Sequence, residues 1–368
     1  MLHTYQKPLS GKKVGVVFGS FAPLHQGHLD LIMRAKKEND GGCIVIVCGY
    51  DGDKGEPLMP HRLRYRYVRE FFADDDLVAV YAINDTESMR DQYPNGWTSW
   101  MSEFDDIYEV ATNTGPKCVW YVGDENYYDD LTKMWNEEAV LVNRTADNPI
   151  SATMIRQNPI KHWDKIATPF RRVFSHNILI TGTASEGKST LVTDLGKYFN
   201  APHSWEWPRD YMEESGVSDW ELDGADFIAF LEGQYNLNKK LINSPANHGV
   251  FFADSDSTTT RMYAEMYAKD DNFALTQEEF EKVAVVADEL SRKSRWDKIF
   301  LVAHHGVFVD DHTRYMGHSE MEERQQLFDI LCEAVKRTGN WDKVTILSGN
   351  YYENFMDVVK YVKEIMNK

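Results

Sequence analysis

The sequence predicts an α/β fold of two domains, each built on a parallel sheet. Three observations carry this expectation. Short runs rich in β-branched residues alternate with amphipathic segments along most of the chain. The alternation restarts after Ile155–Phe170, a segment carrying Pro159 and Pro169. Each half opens on an apolar run that ends in a glycine-bearing turn and leads into a helical pattern. At 368 residues the chain is long enough for each half to bury its own core.

In the first half the strand candidates are Val14–Phe18, Cys43–Cys48, Leu77–Ile83, Val119–Val122 and Val140–Val142. Helical patterns lie between them at His28–Lys37, His61–Phe72 and Trp97–Thr112. Such a rhythm puts helices on both faces of the sheet and ligands beyond the carboxyl ends of the strands. The boundary is expected near Thr168, giving domains 1–168 and 169–368, with Trp163 and Ile166 offering the connector something to pack against. In the second half, strands are expected at Asn177–Thr181, Val250–Ala253, Lys298–Ala303 and Val344–Leu347, separated by longer helical stretches.

A formal net charge of −18 argues against general attraction to nucleic acid, so any polyanionic ligand must be held by local groups. The four cysteines, Cys43, Cys48, Cys118 and Cys332, show no C-x-x-C spacing and read as buried thiols of a reducing compartment. Met1–Lys13 lacks the apolar core of a signal peptide, and no run approaches the about 20 apolar residues of a membrane span. A cytoplasmic protein without a membrane anchor is expected, and a homo-oligomer is compatible with the sequence.

After the first apolar run comes Gly19-Ser20-Phe21-Ala22-Pro23-Leu24-His25-Gln26-Gly27-His28. Gly19 and Ser20 let backbone approach a triphosphate, and Gly27 lets the following helix come close to the same groups. His25 and His28 can donate N–H bonds to phosphate oxygens whose charge grows as pyrophosphate leaves. Near the end of the half, Ile150-Ser151-Ala152-Thr153-Met154-Ile155-Arg156 offers hydroxyls at a helix start and an arginine one turn in. These strings resemble the G-x-F-x-P-x-H-x-G-H and I-S-x-T-x-I-R elements of the nucleotidylyltransferase superfamily, which implies a Rossmann-like nucleotidylyltransferase domain.

Tyr93-Pro94-Asn95-Gly96-Trp97 sets an indole after a turn, where an exposed aromatic face can stack on a pyridinium ring; a core tryptophan is the other reading. With Gly49–Lys54 and the basic run Arg62-Leu-Arg64-Tyr-Arg66, it resembles nicotinamide mononucleotide (NMN) adenylyltransferases. The whole chain, from about residue 12 onward, resembles the bifunctional NadR family, which joins that domain to a ribosylnicotinamide kinase. Longer members carry a DNA-binding helix-turn-helix first; only a short stretch precedes Val14 here, so a repressor role is not expected.

Gly182-Thr-Ala-Ser-Glu-Gly187-Lys188-Ser189 fits the Walker A pattern at every fixed position, after a strand and before the helical stretch Thr190–Phe199. Its backbone amides can wrap phosphates, Lys188 can reach the β and γ oxygens, and Ser189 can ligate Mg²⁺. The family form is closer to G-x-E-S-S-G-K-S-T, so Glu186 adds negative charge near the phosphates. Asp254 and Asp256 follow a buried strand, where one can hold Mg²⁺ and the other face the acceptor. Glu206 and Arg209 resemble the family's E-x-x-R element, in which the acid addresses the ribose or its 5′-hydroxyl and the arginine meets phosphate. A helix cap or an ion pair is the structural alternative. Asp254 or Glu206 would take the hydroxyl proton, and Asp256 would address the riboside.

Val309-Asp310-Asp311-His312-Thr313-Arg314 resembles the family's V-D-D-G-T-R lid, which implies that Arg314 covers the transferring phosphoryl group. The His304-His305 pair lacks the further ligands of a zinc site. Ser348–Tyr351 is placed either as an adenine-contacting loop or as a plain strand-to-helix turn. The resemblance thus implies phosphorylation of nicotinamide riboside by ATP in the second domain and adenylylation of the resulting NMN to NAD in the first, with Mg²⁺ at both steps. The rivals are a nucleotidylyltransferase joined to a kinase for another small substrate, and a nucleotide sensor without turnover.

Overall fold

A computed structural model describes residues 6–50, 52–85, 89, 96–142, 149–303 and 321–367. The chain divides into two compact units, Met1–Phe174 and Ser175–Lys368.

The first unit holds a five-stranded parallel sheet. Its strands are β1 (Lys13–Gly19), β2 (Cys43–Gly49), β3 (Val78–Asn84), β4 (Lys117–Val122) and β5 (Glu138–Leu141), in the order β3-β2-β1-β4-β5. Its helices are α1 (Gln26–Glu38), α2 (His61–Phe71), α3 (Trp97–Ala111), α4 (Glu125–Asp129), α5 (Ala152–Gln157) and α6 (Thr168–Phe174). Val16 on β1 pairs with Ile44 on one side and with Trp120 on the other. The strand order therefore reverses at β1, opening a crevice beyond the carboxyl ends of β1 and β4.

Alternation of side chains splits the core in two. Val17 and Val45 face Leu31, Ile32 and Val68 of α1 and α2. Val16 and Ile44 face Trp100, Phe104 and Ile107 of α3. Trp163 and Ile166 join the first of these clusters, as do Phe170, Val173 and Phe174 of α6. The division consequently falls after Phe174, later than the Thr168 position read from the sequence, because the apolar face of α6 is satisfied by the first core.

The second unit holds a four-stranded parallel sheet of β6 (His176–Gly182), β7 (Val250–Asp254), β8 (Lys298–Val302) and β9 (Val344–Leu347), ordered β7-β6-β8-β9. Its helices are α7 (Lys188–Phe199), α8 (Trp207–Ser215), α9 (Gly224–Ile242), α10 (Ser257–Tyr267), α11 (Gln277–Lys293), α12 (Met321–Arg337) and α13 (Tyr351–Met366). One sheet face packs Ile178, Ile180 and Phe252 on Leu191 and Val358, and the other packs Leu179 and Phe251 on Met262 and Leu331. A third cluster, with Phe227, Tyr267 and Val283, joins α9, α10 and α11 away from the sheet. Just before Glu206, His203 makes one isolated parallel bridge to Phe252 of β7. Among the described residues no helix is long and apolar enough to cross a membrane.

Candidate functional site

In the first unit, the ten-residue string runs from the end of β1 into α1, with His25 as the residue before the first helical turn. The backbone N–H groups of His28 and Leu29 both donate to His25 O, at 2.8 and 3.0 Å, which seats the two imidazoles on the same side of the helix start. Their rings stack at 3.7 Å between centroids, and Phe21 meets His28 edge-on at 5.0 Å. A Cβ at Gly27 would lie 3.3 Å from the His25 ring, so glycine leaves room for that imidazole. At Gly19 the nearest atoms to an added Cβ are those of the Phe21 ring at 3.5 Å, ordinary contact, so the need for glycine there does not come from the protein.

The second motif closes on the first. Ser151 caps α5, accepting from Met154 N at 3.2 Å, while Ser151 and Thr153 are exposed. Arg156 donates to Ala22 O at 2.5 Å and to Thr153 Oγ1 at 3.2 Å, which joins two segments far apart in sequence. Ser20 is held from below by a residue the sequence reading did not single out. Arg64, with 0% exposure, donates to Ser20 O at 2.6 Å, Cys48 O at 3.2 Å and Met59 O at 3.0 Å. Its basic run offered the signal, but only burial separates Arg64 from exposed Arg62 and Arg66.

Trp97 departs from expectation. Its indole is 7% exposed, donates to Asp130 Oδ2 at 3.1 Å, and packs edge-on against Phe18 and Tyr127. It presents no open face here; the large apolar ring is more stable inside the aromatic cluster beside the end of β1. Tyr93–Asn95 lie outside the described residues.

In the second unit, Gly182–Ser189 forms the turn from β6 into α7, with Gly187 in the left-handed region at φ 73°. Lys188 is buried and donates to Thr183 O at 2.7 Å, while Ser189 and Thr190 are exposed at the helix start. Glu186 does not stand as an open negative charge: it is ion-paired with Arg324 of α12.

Asp254 ends β7 beside this loop and is 1% exposed, with both carboxylate oxygens lacking a hydrogen bond of normal geometry. Burial, reinforced by Glu206, pushes its pKa up to about 6, against the pull of Lys188, the Ser189 hydroxyl and Arg209. Buried acceptors without donors fit a cation, and Mg²⁺ is commonly held by one or two protein groups plus substrate phosphates. Among the described residues no cluster of three or more His, Cys, Asp or Glu could hold a metal unaided.

Asp256 corrects an expectation. One of its oxygens accepts from Thr258 N at 2.9 Å and from the Thr258 hydroxyl, and the other from Trp296 Nε1 at 2.9 Å. It caps α10 and is fully engaged, so it does not face a riboside. Glu206 and Arg209 pair at 2.5 Å, as the structural alternative had it, yet both also line a cleft of about 830 Å³. That cleft includes Thr183 of the phosphate loop and the aromatic side chains of Phe227, Phe230 and Tyr267. Gln234 holds the Glu206 segment in place, accepting from Trp207 N at 2.8 Å and donating to Trp205 O at 3.1 Å. A Cβ at Gly233 would lie 2.3 Å from the Trp207 ring. Gly233 and Gln234 were missed in the sequence, although a glycine inside a helical run is a signal for close packing.

Asn350 caps α13 through Glu353 N at 3.1 Å, and Tyr351 donates to Asp194 Oδ2 at 2.6 Å, so Ser348–Tyr351 forms a strand-to-helix turn. Arg314 and its motif, with His304 and His305, lie outside the described residues.

Comparison with known proteins agrees with this division. Residues 16–158 match the cytidylyltransferase-like family model and residues 177–354 match an AAA domain model. The chain is 31% identical to the trifunctional NAD biosynthesis/regulator protein NadR of Salmonella typhimurium and 29% identical to that of Escherichia coli. Each match covers 98% of this chain and 85% of the relative. A crystal structure of a NadR protein in complex with NR superposes with a TM-score of 0.85 at 33% identity, covering 98% of both chains. Another, with NAD and AMP-PNP, gives 0.83 at the same identity and coverage. Identity at this level across 98% of the chain places it in the NadR family.

Proposed function

We propose that this protein makes NAD in two steps, phosphorylating nicotinamide riboside to NMN in the second unit and adenylylating NMN in the first. The observation that carries the reading is the presence of two phosphate cradles of different design, each at the end of an inner strand of its own sheet. The names of the relatives, and the NR, NAD and AMP-PNP held by the similar crystal structures, support it.

In the kinase step the riboside 5′-oxygen attacks the γ-phosphorus of ATP, the bond to the β,γ-bridging oxygen breaks, and ADP leaves. Glu206 lines the cleft and takes the hydroxyl proton, while Arg209 orients that carboxylate and meets phosphate. Asp254 and Ser189 would hold Mg²⁺, which when bound neutralises charge on the triphosphate. Lys188 moves from Thr183 O to the phosphates, and Arg314 covers the transferred group.

In the adenylyl step the NMN phosphate is already anionic near neutral pH, so no general base is required. Its oxygen attacks the α-phosphorus of ATP and pyrophosphate departs. His25, His28 and Arg156 stabilise the growing charge, with Gly19, Ser20, Phe21, Ser151 and Thr153 shaping the cradle. Nicotinamide riboside, NMN, ATP and NAD are the small-molecule partners, and the reactions suit a soluble enzyme of the cytoplasm.

The test is a single incubation with ATP, Mg²⁺ and nicotinamide riboside. One ADP and one pyrophosphate should accumulate for each NAD formed. ADP without NAD would leave only the kinase, and the absence of any product with this riboside would favour a kinase for another small substrate.

A further inference from the structure

Glu186 stands directly before Gly187 in the phosphate loop, where an uncompensated carboxylate would oppose a triphosphate. Its side chain is 3% exposed and ion-paired with the guanidinium of Arg324, itself 2% exposed. The Arg324 guanidinium also reaches Ala184 O at 3.4 Å, and Thr183 Oγ1 approaches Glu186 Oε1 at 3.5 Å. Arg324 thus grips two points of the loop from the first turn of α12, and it lines the cleft together with Thr183 and Ala184. A buried pair of this kind is costly to break from one side, because the remaining buried charge loses its closest compensation.

We propose that Arg324 is a positioning residue for ATP: by cancelling the charge of Glu186 at the phosphate cradle, it keeps the Ala184–Glu186 arc in the form that receives the nucleotide. The inference rests on the reading of this loop as an ATP site, and its test is kept separate from the kinase assay. Hydrogen–deuterium exchange of the 182–190 amides in the full chain, titrated with AMP-PNP and Mg²⁺, reads this cradle alone. The concentration giving half-protection should rise at least tenfold in Arg324→Met and return to within threefold of the parent in the double variant E186S/R324M, where neither charge remains. A double variant as weak as Arg324→Met overturns the proposal, as does an Arg324→Met protein that is protected normally.

Exchange of the β6 and β8 amides without nucleotide reports whether Arg324→Met is folded. If it is not, Glu186→Ser decides: protection at the parent's concentration or lower supports charge cancellation, and a tenfold weakening overturns it. Absence of riboside phosphorylation by the parent protein would instead sink the kinase reading and leave these binding results standing.

Discussion

Asp254 sits under two opposing demands. A carboxylate whose folded pKa is raised to about 6 from an ordinary value of 3.8 binds protons more tightly in the folded state than in the unfolded one. Folding stability therefore declines as pH rises from about 4 through about 6, and the burden is fully present at neutral pH. Replacing Asp254 with Asn should remove a penalty on the order of 3 kcal/mol and raise the thermal midpoint, while lowering riboside phosphorylation by at least about a hundredfold. The parent kinase should lose activity as pH falls through about 6, and added Mg²⁺ should move that limb lower because cation and proton compete for the same oxygens. A lower melting temperature in Asp254→Asn would count against an unpaired buried charge. Asp256, two positions on, makes the contrast: with both oxygens engaged, its replacement by Ala should cost about 1–2 kcal/mol of stability. Where the variant remains folded, the KM for riboside should stay near the parent value. The sequence shows two acids past a strand and cannot rank them, because alternation alone does not say which one finds donors.

At the scale of elements, α8 carries Arg209 with Glu206 at its N-terminal cap, the pair proposed for the acceptor side, and α9 holds that segment through Gly233 and Gln234. A methyl group at Gly233 has no room beside the Trp207 ring, so Gly233→Ala should displace the start of α8. The expected result is a rise of several fold in the KM for riboside with the KM for ATP unchanged. Equal change in both would mean that α8 does not serve the acceptor alone. The strands and phosphate-binding turns were legible because each is a continuous stretch whose pattern reports its burial. Val250–Ala253, for example, is observed one residue longer, to Asp254. The α6 helix was absorbed into a connector, since seven residues carry too little periodicity to announce which core they join. Trp97 misled for a related reason: an indole after a turn reads alike whether it is open or, as observed, enclosed by Phe18, Trp100 and Tyr127.

For the whole molecule, the net charge of −18 supplies no general attraction for a nucleotide, so binding falls to local groups such as those of the two cradles. The turn at the heart of each cradle is a contiguous string, so its chemistry could be read from residue order, whereas Arg64 and Arg156 reach the first from elsewhere in the chain. The cleft beside the second is assembled from residues between Thr183 and Leu327, and its size and aromatic lining emerge only on folding. Two separate sites should perform two separable half-reactions. Assaying Lys188→Ala and His28→Ala for each half-reaction in isolation tests this most directly. Lys188→Ala should lose riboside phosphorylation by a hundredfold or more and adenylylate supplied NMN at the parent rate, and His28→Ala should show the reverse. Loss of both half-reactions in either folded variant would mean that the two sites are not separate.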